Sequence, residues 1–286
     1  MNTTFESRPF KGVVKIGGAR GNTFAPLLDE LSLRIKRGEK WVLAHGASSM
    51  MEDLSRSVGV EPLYVSSPGG FRSRFVGEKE LAIFEAASCR FSVTLAFELG
   101  KRGITAVPLY PSSAKGAVAK RKDALRVVKD GKVCIMRGNY SGSITSFDPS
   151  DILAVWESGG LPMLPPLALD EASDGTNLNV DGDRMAAAAA AALGADVLAI
   201  LSNVPGLLQD PSDPLSKIDR GTLSEWQNLE GFAQGNMKRK LLAAKEALEG
   251  GTKTVLIADS RSARPIEAGL AGGGTQLCQG SMAAAD

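Results

Sequence analysis

Histidine is nearly missing from this chain of 286 residues: it occurs once, at position 45. A zinc site of several histidines is therefore impossible. A Ser-His-Asp hydrolase would have to use His45, which stands among small residues at a strand end without a Gly-x-Ser-x-Gly elbow. Cysteine is scarce as well. Cys89, Cys134 and Cys278 lack metal-like spacing and read as small buried hydrophobes of a reducing compartment. The formal net charge is only +1, which gives no reason to expect nucleic acid as a partner. Long apolar runs are absent too: the longest, 185–201, is interrupted by Gly194 and Asp196, so no membrane span is expected. Residues 1–11 carry neither an apolar segment nor a cleavage pattern, and the expected location is the cytoplasm. Gly17-Gly18-Ala19-Arg20-Gly21 lacks the dinucleotide spacing, and neither a P-loop nor the protein-kinase motif set is present.

What is present is a large core, 43% hydrophobic residues against 23% charged, enough for one big α/β domain or two lobes. A strand at 13–16 ends in Gly17-Gly18. A helix follows, with Leu27, Leu28, Leu31 and Ile35 apolar and Asp29, Glu30, Arg34 and Lys36 polar, closing at Gly38. The next strand, 41–44, ends in His45-Gly46-Ala47-Ser48 and leads into another helix. Strand, glycine turn, helix, repeated, is a parallel α/β signature, and ligands of such sheets gather at the carboxyl ends of the strands. Further along, a helix is expected from about 78 to 101, a strand at 104–110, and a hairpin over 125–136 whose Lys129-Asp130-Gly131-Lys132 suits a type I′ turn. Pro162 marks the strand at 161–164 as a strand start or an edge. An alanine helix at 186–192, a strand at 197–201, a helix from Gly235 to about 249 and a strand at 254–258 complete the pattern. With no fixed-period repeat and no low-complexity linker, two lobes sharing one continuous sheet are expected.

The chain is organised around Asn179-Val180-Asp181-Gly182-Asp183, a strand end, a tight turn and a helix start. Unpaired N–H groups make a helix start electropositive, so carboxylates there are explained by capping alone. Their company suggests more. Lys15 precedes Gly17-Gly18, Gly46-Ala47-Ser48 forms a second small-residue turn, and Lys238, Arg239 and Lys240 crowd a helix start where cations are disfavoured unless an anion is near. Asp183 between Lys15 and Lys240 is the arrangement expected around a transferring phosphoryl group.

These motifs, with Leu201-Ser202-Asn203-Val204-Pro205-Gly206, recur in the order of the amino acid kinase superfamily, and the chain resembles its acetylglutamate kinase branch over nearly its whole length. Ser67-Pro68-Gly69-Gly70-Phe71-Arg72-Ser73-Arg74 and Arg137-Gly138-Asn139-Tyr140-Ser141-Gly142 are similar to the kinases that act on aminoadipate or glutamate tethered to LysW, a small acidic amino-group carrier protein. The resemblance implies a three-layer αβα sandwich with a mostly parallel central sheet. Residues 1–165 would form an acceptor-binding and dimerisation lobe and 166–286 an ATP lobe of a single domain, 1–286. It implies phosphoryl transfer from ATP to a side-chain carboxylate, with Lys15, Asp183 and Lys240 catalytic. Gly46, Ala47, Arg74 and Asn179 would hold the acceptor; Gly17, Gly18, Ser202, Asn203, Gly206 and Lys238 would hold ATP. Magnesium is expected to ride on the nucleotide, with no protein ligand assigned. Free N-acetylglutamate as acceptor, or a catalytically silent regulatory relative, are the alternatives. Ala47 stands where the family carries a second glycine, so its methyl is expected to crowd phosphate and acceptor. The resemblance also implies a homodimer through the helix at 78–101. Lys115, Lys120, Arg121, Lys122 and Arg126 form either a solvated charged ribbon or a docking face for the carrier.

Overall fold

The computed structural model describes residues 8–280 apart from Asn22, Phe71, Ser173 and Asp174; Phe71 of the 67–74 motif thus lies outside the described residues, as does the Arg72 side chain. The first third contains β1 (Lys11–Ile16), α1 (Ala25–Lys36), β2 (Lys40–His45), α2 (Ser48–Ser57), β3 (Tyr64–Ser66), β4 (Arg72–Arg74) and α3 (Glu78–Gly100). The middle contains β5 (Ala106–Pro108), β6 (Ala117–Arg121), β7 (Leu125–Lys129), β8 (Lys132–Met136), β9 (Gly142–Phe147), α4 (Ser150–Glu157), β10 (Leu161–Leu164), β11 (Leu167–Asp170) and β12 (Asn177–Asn179). The remainder contains α5 (Gly182–Leu193), β13 (Val197–Ser202), β14 (Arg220–Thr222), α6 (Trp226–Phe232), α7 (Asn236–Glu249), β15 (Thr254–Asp259), α8 (Pro265–Ala268) and β16 (Thr275–Cys278).

Eight strands make the central sheet, in the order β14-β16-β15-β13-β1-β2-β10-β5, parallel except between β15 and β16. Alternation along each strand divides the core into two layers. Val13, Val42, Leu198 and Ile200 face α5 and α7; Val14, Leu43, Ala199 and Leu201 face Leu27, Leu28 and Leu31 of α1 and Leu95 and Leu99 of α3. Both faces are covered, so every residue of β1 and β2 after the opening lysine is buried. Alanines let α5 and α7 approach closely: a methyl on Gly250 at the end of α7 would lie 2.4 Å from the Cβ of Ala191.

Two four-stranded sheets stand beside this sandwich, β12-β11-β6-β9 and β4-β3-β7-β8. The β7–β8 hairpin turns through Asp130 and Gly131, at φ 50° and 73°, the left-handed pair that a type I′ turn requires. Several expectations need correcting. β5 is three residues long, Ala106–Pro108, not 104–110: its last bond to β10 is from the Leu109 amide to the Met163 carbonyl at 2.9 Å, and Pro111 follows two residues on. β10 is not an edge: β2 and β5 flank it, and Pro162 sits ahead of the first rung to β2, at Met163. Between the 125–136 hairpin and Gly159, where the sequence pattern assigns no element, lie β9 and α4. Glu30, assigned to the polar face of α1, is 1% exposed; its carboxylate accepts from the Ile266 and Glu267 amides at 2.8 and 2.9 Å and pairs with Arg34, fastening α1 to the start of α8. The cysteines are free but not buried: Cys89 lies on the outer face of α3, and Cys134 and Cys278 are half-buried. Among the described residues no helix is long and apolar enough to cross a membrane.

Candidate active site

The site lies where β1, β2 and β12 end and α5 and α7 begin. Asp181 caps α5, its Oδ1 accepting from the Asp183 and Arg184 amides at 2.9 and 3.1 Å. Asp181 therefore carries the capping role, which frees Asp183 to turn inward. Asp183 takes the Lys15 ammonium at 2.7 Å on Oδ1 and the Lys240 ammonium at 3.2 Å on Oδ2. All three residues are buried, at 8%, 6% and 9% exposure for Lys15, Asp183 and Lys240. Burial pushes the Asp183 carboxyl up, but the two lysines outweigh it and hold it down at about 2. Burial also pushes the Lys240 ammonium down, against the pull of Asp183. Two cations share one anion, so the pocket holds a surplus positive charge that an incoming anion would neutralise.

The two glycine turns interlock beside this triad. A Cβ on Gly18 would fall 2.3 Å from the Gly46 carbonyl carbon and 2.4 Å from the Ala47 nitrogen. The Gly46 amide donates to the Ile16 carbonyl at 3.0 Å, and the Ser49 amide to the Gly18 carbonyl at 2.8 Å. Gly182 completes the floor: a Cβ there would meet Lys15 Cε at 3.3 Å and the His45 carbonyl at 3.4 Å. The side chain of Ala47 belongs to a buried cluster with Met51, Phe84, Ala87 and Leu167.

Sequence reasoning dismissed His45 as a catalyst and missed its structural place. The ring is fully buried, with Nδ1 3.2 Å from the Gly46 carbonyl and Nε2 2.7 Å from Ser92 Oγ on α3. A carbonyl only accepts, so Nδ1 carries the proton and Nε2 accepts from Ser92. Burial pushes this imidazole down to about 4, the Gly46 carbonyl opposing and Lys15 adding to the shift. Below its ordinary value near 6.5 the unfolded chain binds a proton that the folded chain refuses, so stability falls from pH 6.5 down to 4 and no further. Wild type is expected to lose about 2 kcal/mol more than His45→Asn between pH 7 and pH 5 in urea titrations, an amount that 1.5 units of pH supply. Equal losses would mean the ring is protonated in the fold.

The other expected site residues are placed less tightly. Asn179 donates its amide to the Tyr140 carbonyl at 2.9 Å, and half-buried Arg74 stacks over Tyr64 at 5.4 Å. Buried Ser202 ends β13, its carbonyl accepting from the Ser260 amide at 2.7 Å, while Asn203 is exposed. Gly206 is packed against Thr275, where a Cβ would come within 2.4 Å of Oγ1. Lys238 is exposed in the first turn of α7, a turn with no acidic residue. The basic run does not form one ribbon. Lys115 pairs with Asp148 at 3.7 Å. Arg121 stacks on Tyr140 at 3.6 Å and donates to the Asn139 carbonyl at 2.8 Å. Lys120 and Arg126 are exposed on different sheets.

A parallel sheet whose strand β1 and flanking helices α5 and α7 bring two lysines to one aspartate beside interlocked glycine turns marks an enzyme of phosphoryl transfer. The chain belongs to the amino acid kinase family, whose profile matches residues 11–259. It is 39% identical to the LysW-aminoadipate kinase of Deinococcus radiodurans, over 92% of this chain and 90% of that one. Identity to the LysW-aminoadipate kinase of Thermus thermophilus is 36%, over 92% and 98%; to a LysW-aminoadipate/LysW-glutamate kinase of Saccharolobus islandicus it is 32%, over 94% and 99%. Among solved structures, N-acetylglutamate synthase from Neisseria gonorrhoeae superposes with a TM-score of 0.76 at 23% identity; the alignment takes in 96% of this chain and 60% of the synthase. Carbamate kinase from Giardia lamblia bound to AMP-PNP superposes with a TM-score of 0.68 at 15% identity, over 96% and 99%. These likenesses establish the shared fold.

Proposed function

We propose that the protein transfers the terminal phosphoryl group of ATP to the side-chain carboxylate of aminoadipate or glutamate attached to a small acidic carrier of the LysW kind, giving an acyl phosphate. The carrying observation is the buried Lys15–Asp183–Lys240 set with its surplus positive charge; the kinase relatives supply the acceptor. The acceptor carboxylate is already ionised at neutral pH and needs no base. Asp183, held near 2, is too weak a base to take a proton and serves to orient both lysines. Lys15 and Lys240 flank the group in flight and stabilise charge on its oxygens, while Gly17 and Gly18, which carry no side chains, offer backbone N–H groups. Magnesium, bound to the nucleotide, would add charge neutralisation. Arg74 and Asn179 grip the acceptor; Ser202, Asn203, Gly206 and Lys238 hold the nucleotide. In this reading residues 1–165 serve the acceptor and 166–286 the nucleotide, and the enzyme works in the cytoplasm. The test is ATP turnover trapped as hydroxamate, with Lys240→Ala as blank, comparing free N-acetylglutamate with carrier-linked glutamate and aminoadipate. Turnover of the carrier-linked acids alone supports the reading, and turnover of the free acid overturns it.

Docking of an acidic carrier would use the exposed charges, so Lys120→Glu with Arg126→Glu is expected to raise the acceptor KM about tenfold at low salt, an effect that shrinks as salt screens the wild type. An unchanged KM removes these residues from the docking face.

The homodimer reading rests on α3. Cys89, Val93 and Phe97 recur every fourth residue along its outer face, with Val93 60% and Phe97 65% exposed. Phe97→Asp is expected to convert a dimer to a monomer in analytical ultracentrifugation without altering the far-ultraviolet circular dichroism. A variant that stays dimeric places the interface elsewhere.

A further inference from the structure

The two residues assigned to grip the acceptor stand on different small sheets: Arg74 ends β4 of one, and Asn179 ends β12 of the other. Three segments run between or beside those sheets, at 75–76, 122–124 and 137–141, and all three meet at Asn139. Asn139 is fully buried. Its Oδ1 accepts from the Val76 amide at 3.2 Å and from Ser141 Oγ at 3.3 Å, and its Nδ2 donates to the Lys122 carbonyl at 2.8 Å. Its own amide donates to the Asp123 carbonyl at 3.1 Å. One residue further, the Tyr140 amide donates to the Val76 carbonyl at 2.7 Å while the Tyr140 carbonyl accepts from Asn179 at 2.9 Å. A continuous chain of hydrogen bonds therefore leads from the segment following Arg74, through Asn139 and Tyr140, to Asn179. The guanidinium of Arg121 closes the junction from outside, stacked on Tyr140 and bonded to the Asn139 carbonyl.

We propose that Asn139 is a positioning residue for the acceptor: it fixes the spacing between Arg74 and Asn179 without touching either substrate. An amide suits the position because it donates to one backbone segment and accepts from another at once. An aspartate keeps the acceptor for Val76 and loses the donor to Lys122; an alanine loses both. The nucleotide side is not reached by this chain of bonds, so the acceptor and ATP should respond differently.

The inference rests on the acceptor reading given above, and its test separates the two. In Asn139→Ala, the KM for carrier-linked aminoadipate is expected to rise about tenfold, the equivalent of one buried hydrogen bond, with kcat and the ATP KM changed less than about twofold. Asn139→Asp is expected to recover about half of that rise on a logarithmic scale. Hydrogen exchange of the Val76 amide is expected to accelerate about tenfold in Asn139→Ala while β1 amides keep their protection. An ATP KM that rises in step, an acceptor KM that does not move, or a Val76 amide that stays protected overturns the proposal. Should Asn139→Ala fail to fold, Arg121→Gln carries the test, with the same pattern at about threefold. If wild type turns over no carrier-linked acid, the acceptor reading falls, and the exchange experiment alone decides whether Asn139 clamps the junction.

Discussion

Asp183→Ala is expected to reduce kcat/KM by at least about a thousandfold and to cost about 3–5 kcal/mol of stability, the largest double effect available in this chain. The reason is charge. Removal of the carboxylate leaves Lys15 and Lys240 buried with no counter-ion and mutually repelling. Urea titration and hydroxamate-trapped turnover measure the two losses. Adding Lys240→Met to Asp183→Ala removes one of the stranded cations, so stability should largely return while turnover stays lost. Recovery of both would make Asp183 a structural residue alone. The same carboxyl gives the protein an acid limit with a definite sign: its folded value of about 2 lies below the ordinary 3.8, so its contribution is complete above pH 3.8 and disappears as pH falls through 2.

Gly18→Ala is expected to be nearly as damaging, for steric reasons. The new methyl would stand 2.3 and 2.4 Å from backbone atoms of Gly46 and Ala47, which cannot swing away as a side-chain tip can. The turns must separate, with a loss of at least about 3 kcal/mol from overpacking and of about a hundredfold in turnover from misplacement of the amides by an ångström. Gly21→Ala is the control. Gly21 has φ 85° with nothing within 4 Å of a new Cβ, so strain alone should cost about 1 kcal/mol and leave turnover intact. If the two variants behave alike in melting and turnover, close approach of the turns has no special importance.

The three-layer sandwich was legible because its central strands are buried on both faces and its helices are punctuated by glycine. The triad residues could be named because each lies beside a local signal: Lys15 before a glycine pair, Asp183 after a capping aspartate, Lys240 in a misplaced cationic helix start. What resisted reading was non-local. Nothing near Glu30 says that its carboxylate will cap a helix 236 residues away. Nothing near His45 says that its partner is Ser92, and Asn139 stood in a quoted motif whose purpose depends on three segments meeting. The basic run looked like one surface because its members are close in sequence. Alternation within β6 and the passage from one small sheet to the other scatter them, and Arg121 spends its guanidinium on Tyr140.

The eight-stranded sheet has an implication for how such a chain can change. β13 binds β1 rung by rung from Gly12 opposite Val197 to Ile16 opposite Leu201, so the two halves of the sequence meet along a backbone seam as well as across the side-chain layer under α5 and α7. A seam of that kind fixes register. Exchange of the second half for that of a distant relative would have to preserve both the pleat of β13 and the alanine ridge of α5 beneath it, so the halves should diverge in step rather than reassort as interchangeable modules.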